Sequence, residues 1–318
     1  MSVRKHIYTG RDVAFIIPTK DRPEKLINLL DSLSRQAVEC GQIIVVDGGK
    51  SVKEVVRSFS DRLPVEYYEC CPPGQIRQRN VGIAKLGESI VLVGFIDDDM
   101  VLEADALEKM IDFWNRVEEN TAGVGFNLVN IPPFRHSKLW GFFLMSSPVY
   151  GCVLPSGYNS AIHNISSEIR TQWLGGGYTL WKREIIETFP QDNLNTRWAI
   201  GEDLRFSYPI GKKYPLYVCA GSKLRHEHID NLYAQKNTDR YIGRKRSLAF
   251  FYFVKSHPEL SQLACLWMLG GSAFVQLIYG CATLKRKWLR LALGQGEAIL
   301  ICFRSMLGYS NLLRELED

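Results

Sequence analysis

The chain has 318 residues, of which 46% are hydrophobic and 23% charged, with a net charge of +5. This composition is ordinary for a globular protein, and the length allows one large α/β domain with an appendage. A modest positive charge suits an anionic substrate or membrane surface but does not by itself indicate nucleic-acid binding. We therefore expect no nucleic-acid partner.

The cysteines and the N-terminal residues bear on the cellular compartment. Eight cysteines are present without a CxxC pair, and most stand in apolar surroundings. This pattern favours reduced thiols in a cytosol over a zinc site or a disulfide framework. Residues 1–9 are polar and basic and contain no apolar run, so no signal peptide is expected. These features predict a cytoplasmic protein.

The first half of the chain alternates predicted strands and helices. The predicted strands are 13–17, 42–46, 65–69 and 90–96, and the predicted helices are 21–33, 51–59, 75–86 and 103–115. Pro18 should end the first strand, and Asp21, three residues before Glu24, should cap the first helix. Alternation with short links is typical of an α/β fold, with a mostly parallel sheet flanked by helices.

The most informative feature is a run of three carboxylates, Asp97, Asp98 and Asp99, directly after the apolar segment 90–96. The carboxyl end of a buried strand is where open α/β sheets place their ligand crevice. Adjacent like charges are costly unless a cation or hydrogen-bond donors compensate them, and carboxylate oxygens suit Mg²⁺ or Mn²⁺. The alternative is a solvated acidic turn before the next helix.

Other polar residues follow the neighbouring strands. Residues 18–22 follow the first strand, and Asp47 follows the second. Asp47 can accept a hydrogen bond from a nucleobase or a ribose, although an Asx turn before Gly48 is nearly as good an interpretation. Arg77 and Arg79 lie on different helix faces, so one of them is expected to face the crevice and bind phosphate or a base. The alternative for each is a surface arginine.

These segments together resemble the successive motifs of family 2 glycosyltransferases, which have the GT-A fold. The matching segments are residues 18–22, 45–48, 79–82, 95–99, 173–177 with a short helix from Lys182, 201–204 and 225–228. They cover residues about 12 to 230 in the expected order. Each motif is weak alone, but the ordered set is specific.

The resemblance implies a nucleotide-diphospho-sugar donor and assigns residues to it. Thr19 and Asp47 would hold the nucleobase and ribose, and Arg79 would lie near the base or diphosphate. Asp98, in the variable place of the acidic motif, would serve the ribose. The resemblance also places the following residues at the nucleotide-sugar site: Pro18, Thr19, Arg22, Asp47, Arg79, Asp97, Asp98 and Gly176.

The resemblance further implies a metal ion, Mn²⁺ or Mg²⁺. Asp97 and Asp99 match the two acids of the D-x-D motif, and Asp99 is the expected direct ligand. His226 matches a position that completes the metal or diphosphate site in several GT-A enzymes. His228, two residues on, competes for that assignment.

Catalysis is assigned to the pair Glu202 and Asp203. Asp203 matches the family's catalytic base, and the resemblance implies an inverting reaction on an acceptor hydroxyl of a glycan or a lipid-linked substrate. Without the other motifs, both acids would be read as residues of a helix N-terminus.

Two other functions remain open. One is a sugar nucleotidyltransferase, although residues 18–22 lack the glycine-rich loop of those enzymes. The other is a non-catalytic membrane-bound scaffold.

The domain prediction is a GT-A domain at 1–230 and a helical C-terminal region at 231–318. Within the domain, the nucleotide-binding half covers about 12–100 and the acceptor half 101–230. Residues 131–171 match none of these motifs and are either an acceptor-side excursion or packing.

Residues 260–284 contain no charged side chain, and a basic cluster, Lys285, Arg286, Lys287 and Arg290, follows. We expect contact with the cytoplasmic face of a membrane through 260–290, and the alternative is a helical appendage packed on the catalytic domain. A full span is the poorest interpretation, because polar residues and the pair Gly270 and Gly271 interrupt the segment.

Overall fold

A computed structural model describes residues 6–132, 135–191, 200–227 and 238–317. The chain forms two compact units, each assembled from separate segments. The first unit comprises Met1–Phe134, Ile162–Asn193 and Phe206–His228, and the second comprises Arg135–Ala161, Leu194–Arg205 and Ile229–Asp318.

Among the described residues, the first unit is built on a nine-stranded sheet. Its strands are β1 Val13–Thr19, β2 Gln42–Asp47, β3 Val65–Glu69, β4 Leu92–Ile96, β5 Met100–Leu102, β6 Gly123–Leu128, β7 Ile169–Thr171, β8 Tyr178–Lys182 and β9 Leu216–His226. The order across the sheet is β3-β2-β1-β4-β8-β6-β9-β5, with β7 also paired to β9. Strands β1 to β4, β6 and β9 run in one direction, and β5, β7 and β8 run in the other. The predicted mostly parallel α/β sheet is therefore confirmed.

Helices follow the strands of this unit much as the sequence predicts. They are α1 Pro23–Ser34, α2 Lys53–Arg57, α3 Gln75–Ile83, α4 Ala106–Arg116 and α6 Arg183–Thr188. Helix α7, Glu202–Gly211, begins in the second unit and ends in the first.

Two local predictions are wrong. Strand β1 continues through Pro18 to Thr19, where it pairs only with β2 because β4 pairs with it no further than Ile16. A proline is tolerated at such a place because fewer backbone hydrogen bonds between strands are required there.

Asp21 does not cap α1, whose N-cap is Arg22. Its carboxylate instead accepts a hydrogen bond from the backbone of Lys50, and thereby ties the β1–α1 loop to the segment after β2.

The second unit is helical. It contains α5 Lys138–Phe142, α8 Asp239–Lys255, α9 Gln262–Thr283, α10 Arg286–Met306 and α11 Leu312–Leu316. Helices α8 and α10 approach closely through glycines: a Cβ at Gly294 would stand 1.9 Å from the carbonyl oxygen of Arg240. Among the described residues, α9 alone is long and apolar enough to cross a membrane, and one third of its most apolar window is buried.

The sheet interior is packed without spare space around β4. Gly94 lies opposite Phe15 of β1, and a Cβ at Gly94 would stand 2.3 Å from the Phe15 ring. Phe15 is completely buried. Protein interiors have crystal-like packing density, so the ring cannot move aside cheaply.

We therefore predict that Gly94→Ala lowers the free energy of unfolding by about 1–3 kcal/mol, the usual cost of overpacking. The matched control is Gly296→Ala on α10, where an added Cβ meets nothing within 4 Å. In a helix interior that change should stabilise by up to about 1 kcal/mol. Urea unfolding measures both, and equal effects of the two substitutions would contradict the packing described here.

Candidate active site

The acidic residues lie at the edge of the sheet where β1, β2 and β4 end. Thr19, the last residue of β1, pairs with Asp47, the last residue of β2. Asp97 follows directly after β4, which pairs with β1 on its other side. Polar side chains that are far apart in sequence therefore meet at one edge.

Asp98 is the most enclosed of the three carboxylates, with no exposed surface. The Thr19 hydroxyl donates to its Oδ2 over 2.7 Å, and Nη2 of Arg22 lies 2.7 Å from its Oδ1. Burial raises the pKa of Asp98 to about 7, against the opposing effects of the Arg22 charge and the Thr19 hydrogen bond. Asp98 thus links the turn after β4 to the end of β1 and the β1–α1 loop, through Thr19 and Arg22.

Asp99 has two side-chain partners, Arg22 and His226. Nη1 of the same Arg22 donates to its Oδ2 over 3.1 Å, and Nε2 of His226 lies 3.3 Å from that oxygen. Burial alone would raise the pKa of Asp99, but the His226 hydrogen bond and the charges of His226 and Arg22 lower it overall. The hydrogen bond to Asp99 in turn raises the pKa of His226, in part offset by burial of the ring.

His226 reaches Asp99 because strand β5, directly after the acidic turn, pairs with the end of β9. Met100 lies opposite His226 in that pairing. Asn130 holds the His226 backbone through two hydrogen bonds, one to its N–H and one to its carbonyl oxygen. His228, the competing candidate, lies outside the described residues.

Glu227 fixes the same segment from the other side. Its backbone N–H donates to the Asp99 carbonyl oxygen over 2.8 Å, and its carboxylate accepts from Lys25 and Asn28 of α1. Sequence reasoning missed both Asn130 and Glu227. The sequence carries no signal for Asn130, whereas Glu227 stands inside a recognised motif.

Asp97 has different partners from Asp99. Its Oδ1 accepts from Nε2 of Gln75 over 2.9 Å and from Nη2 of Arg79 over 3.1 Å. Arg79 is 1% exposed and lies over the Phe95 ring at 5.4 Å, whereas Arg77 is directed to the Pro72 carbonyl oxygen. The two arginines therefore point to different places, as helical spacing requires. Gln75 was missed, although its position four residues before Arg79 puts both on one helix face.

The carboxylate of Asp47 is hydrogen-bonded to the loop that follows β2 and to a side chain of β3. It accepts hydrogen bonds from the backbone N–H groups of Gly49 and Val52 and from the Tyr67 hydroxyl, over 2.8, 3.0 and 3.1 Å. The bond to Gly49, two residues on, is the Asx-turn arrangement. Asp47 therefore shapes the loop after β2, beside Thr19.

The glycine segment 175–177 approaches the acidic turn through its backbone. The Gly177 carbonyl oxygen accepts from the Asp97 N–H over 3.0 Å, and a Cβ at Gly177 would stand 2.0 Å from the Asp97 carboxylate. Only glycine fits this approach. Gly176, the residue assigned to the donor site, is the middle residue of the segment.

The predicted metal site can be compared with these positions. Asp99 Oδ2 and His226 Nε2 are 3.3 Å apart, close to the roughly 3 Å between neighbouring ligands of an octahedral cation with bonds of about 2.1 Å. Asp97 is directed to Gln75 and Arg79. Within the described ranges no three His, Cys, Asp or Glu side chains come together as a metal site. The metal ion stays a prediction, with Asp99 and His226 as the candidate protein ligands and phosphate and water as the sources of the others.

Glu202 and Asp203 are the first two residues of α7, as predicted. Gly201 precedes them in the left-handed backbone region, with φ of +69°. Carboxylates in a first helical turn are favoured by the exposed N–H groups and the helix dipole. This placement agrees with both interpretations of the pair, as catalytic groups and as helix-terminal acids.

Comparisons with known proteins place this site in a family. The model of "Glycosyl transferase family 2" matches residues 14–174, slightly more than half of the chain. The chain belongs to that family and is a glycosyltransferase. The predicted family is thereby confirmed. A comparison with curated protein sequences finds no match.

Solved structures agree on the fold. The chain is similar to residues 1–349 of S. aureus TarS, with 14% identity, a TM-score of 0.53 and coverage of 96% of this chain and 89% of that one. The same TarS fragment in complex with UDP-GlcNAc gives a TM-score of 0.54 at 14% identity and the same coverage. At this identity the likeness shows the GT-A fold alone.

The contact between Asp99 and His226 makes a measurable prediction. Asp99→Asn removes the charge that raises the pKa of His226 and leaves at most a weaker, neutral acceptor, while burial of the ring remains, so this pKa should fall in the metal-free protein. NMR titration of the imidazole C–H signals measures it. Asp105→Asn, at a surface acid paired with Lys109, is the control and should leave the titration unchanged. An unchanged His226 pKa in Asp99→Asn would contradict the contact.

Proposed function

We propose that this glycosyltransferase moves a sugar from a nucleotide-diphospho-sugar to an acceptor hydroxyl, in the biosynthesis of a glycan or polysaccharide. The observation that carries the proposal is the meeting of Thr19, Arg22, Arg79 and the three carboxylates at the carboxyl edge of the parallel strands. Open α/β sheets bind nucleotides at such an edge. Family membership supplies the reaction class.

The donor would lie along this edge. Thr19 and Asp47 end adjacent strands and would contact the nucleobase and ribose, with Pro18 beside them. Arg22 and Arg79 carry the positive charge that a diphosphate requires, and Gly176 would allow its close approach. Because TarS, of the same fold, was solved with UDP-GlcNAc, uridine nucleotides are the first donors to test.

A divalent cation, Mn²⁺ or Mg²⁺, fits Asp99 and His226, with Asp97 as a further candidate ligand. When bound, it would stabilise the negative charge that develops on the leaving diphosphate. Arg22, already in contact with Asp98 and Asp99, would contribute positive charge to the same place.

Asp203 would act as the base. The acceptor hydroxyl loses its proton as its oxygen attacks the anomeric carbon, and a carboxylate within about 3 Å can take that proton. Glu202 would instead stabilise the N-terminus of α7, where an acidic side chain is favoured by the exposed N–H groups and the helix dipole. Attack opposite the leaving diphosphate would invert the anomeric configuration, so an α-linked donor would give a β-linked product.

Donor and cation binding can be tested together by thermal shift with a panel of nucleoside diphosphates and nucleotide sugars, with and without Mn²⁺. A bound nucleotide raises the melting temperature by mass action. We expect a nucleotide-dependent shift that Mn²⁺ enlarges, and we expect Asp99→Asn to lose the Mn²⁺-dependent part. Asp105→Asn is again the control. A full Mn²⁺ effect in Asp99→Asn would contradict the metal assignment, and no shift with any nucleotide would contradict the donor class.

The base is tested by substitution without loss of shape. Asp203→Asn should lower kcat by roughly 10²–10⁴-fold, the usual contribution of a general base, and leave nucleotide affinity close to normal. Glu202→Gln should be milder. Steady-state kinetics and nucleotide titration separate the two effects. If Glu202→Gln proved the more severe, the roles of the two acids would be exchanged.

A further inference from the structure

The outer face of helix α9 is apolar along most of its length. Leu263, Trp267, Phe274 and Ile278 are exposed, with fractions from 48% to 68%. Their spacings of four, seven and four residues place them on one side of the helix. Cys265, Met268 and Leu269 on the opposite side are buried within the unit. Large contiguous apolar surfaces of this kind mark interaction sites.

Helix α5 extends this surface. Trp267 packs against Phe142 and Phe143 with ring centroids 5.3 and 5.6 Å apart, and its indole N–H donates to the Phe142 carbonyl oxygen. Phe143 fits closely because Gly271 carries no side chain: a Cβ there would stand 2.1 Å from the ring. Phe142 itself is 63% exposed.

The two helices therefore present one surface, here called the apolar face. It consists of Leu139, Trp140, Phe142, Leu263, Trp267, Phe274, Leu277 and Ile278. Part of segment 131–171, to which the sequence motifs assigned no role, thus belongs to the same surface as the uncharged segment 260–284.

The charge beside the apolar face is positive. Lys285, Arg286 and Lys287 are exposed at the connection between α9 and α10, and Arg290 follows on α10. Trp288 stacks edge-on against Tyr279 at the same end, with centroids 5.3 Å apart. From residue 260 to residue 296 the sequence contains no acidic residue. Exposed apolar side chains, aromatic rings and basic groups are the composition of a membrane-interface helix.

We propose that the apolar face and the adjoining basic cluster attach the second unit to the surface of an anionic membrane, with α9 lying in the interface. This proposal does not depend on the proposed reaction. For a cytoplasmic protein the membrane would be met at its cytoplasmic face, where a lipid-linked acceptor would be available.

The packing of α9 favours an interfacial position over a span. Its inner face is occupied by the unit itself, and Ser272 accepts a hydrogen bond from Gln295 of α10 over 3.0 Å. Insertion across a bilayer would remove these contacts and bury polar groups in hydrocarbon. A helix with one apolar exposed face and one packed face lies along the interface without such a loss.

Charge also favours a membrane over a second copy of the chain. In a two-fold symmetric dimer the same surface is used by both copies, and residues 260–296 offer no acid of either copy to balance the basic cluster. Anionic lipid headgroups supply the complementary charge.

The test is sedimentation of the full chain with vesicles of phosphatidylglycerol and phosphatidylcholine in equal parts, compared with phosphatidylcholine alone. We expect the protein to pellet with the anionic vesicles and to be released as salt is raised, because screening weakens the attraction. The double variant Phe274→Ser, Ile278→Ser should lower the vesicle partition about tenfold or more, since both side chains would otherwise be buried in the interface.

Ile27→Ser is the matched control, since Ile27 is an exposed isoleucine on α1 of the first unit. It should partition as the unchanged protein does, and replacing Lys285, Arg286 and Lys287 with glutamine should abolish the preference for anionic vesicles. Near-UV circular dichroism confirms that each variant is folded. A full chain that stays in the supernatant at low salt, or a double variant that pellets normally, would overturn the proposal. Sedimentation velocity would also overturn the proposal if the unchanged protein were a dimer that does not bind vesicles and the double variant were a monomer.

Discussion

The burial of a carboxylate run at the end of β4 is the constraint on which the arrangement of the site depends. Asp98 has no exposed surface, and an isolated buried carboxylate would be strongly disfavoured. The protein compensates with Arg22, which contacts Asp98 and Asp99 at once, and with the Thr19 hydroxyl. The β1–α1 loop is therefore held against the acidic turn by electrostatics as well as by strand pairing.

Acidic and basic side chains meet closely in this region. Three carboxylates lie against the guanidinium groups of Arg22 and Arg79 and the imidazole of His226. In the proposed reaction, a divalent cation and a diphosphate would together add little net charge to this group of side chains. Loss of either arginine would leave a carboxylate without its counterion, and a change at Arg22 would disturb Asp98 and Asp99 together.

Several features of the site could be predicted from particular residues. The apolar run before Asp97 indicated a buried strand, and β4 is completely buried. The spacing of Arg77 and Arg79 indicated that they would face different ways, which they do. Local rules failed at Pro18 and Asp21, because pairing with β2 extended the strand and a backbone donor after β2 took the carboxylate that a helix cap would have used.

The sequence by itself determined the order of strands and helices, the family, and the acids and arginines of the candidate site, because these follow from periodicity and from short ordered motifs. Only the tertiary structure decided their partners. The antiparallel pairing of β5 with β9 brings His226 to Asp99 across 127 residues of chain, and Asn130 and Glu227 then hold it there. The apolar face likewise required α5 and α9 to meet, although more than a hundred residues separate them. Contacts between distant segments depend on the packing of the whole unit, which no local pattern specifies.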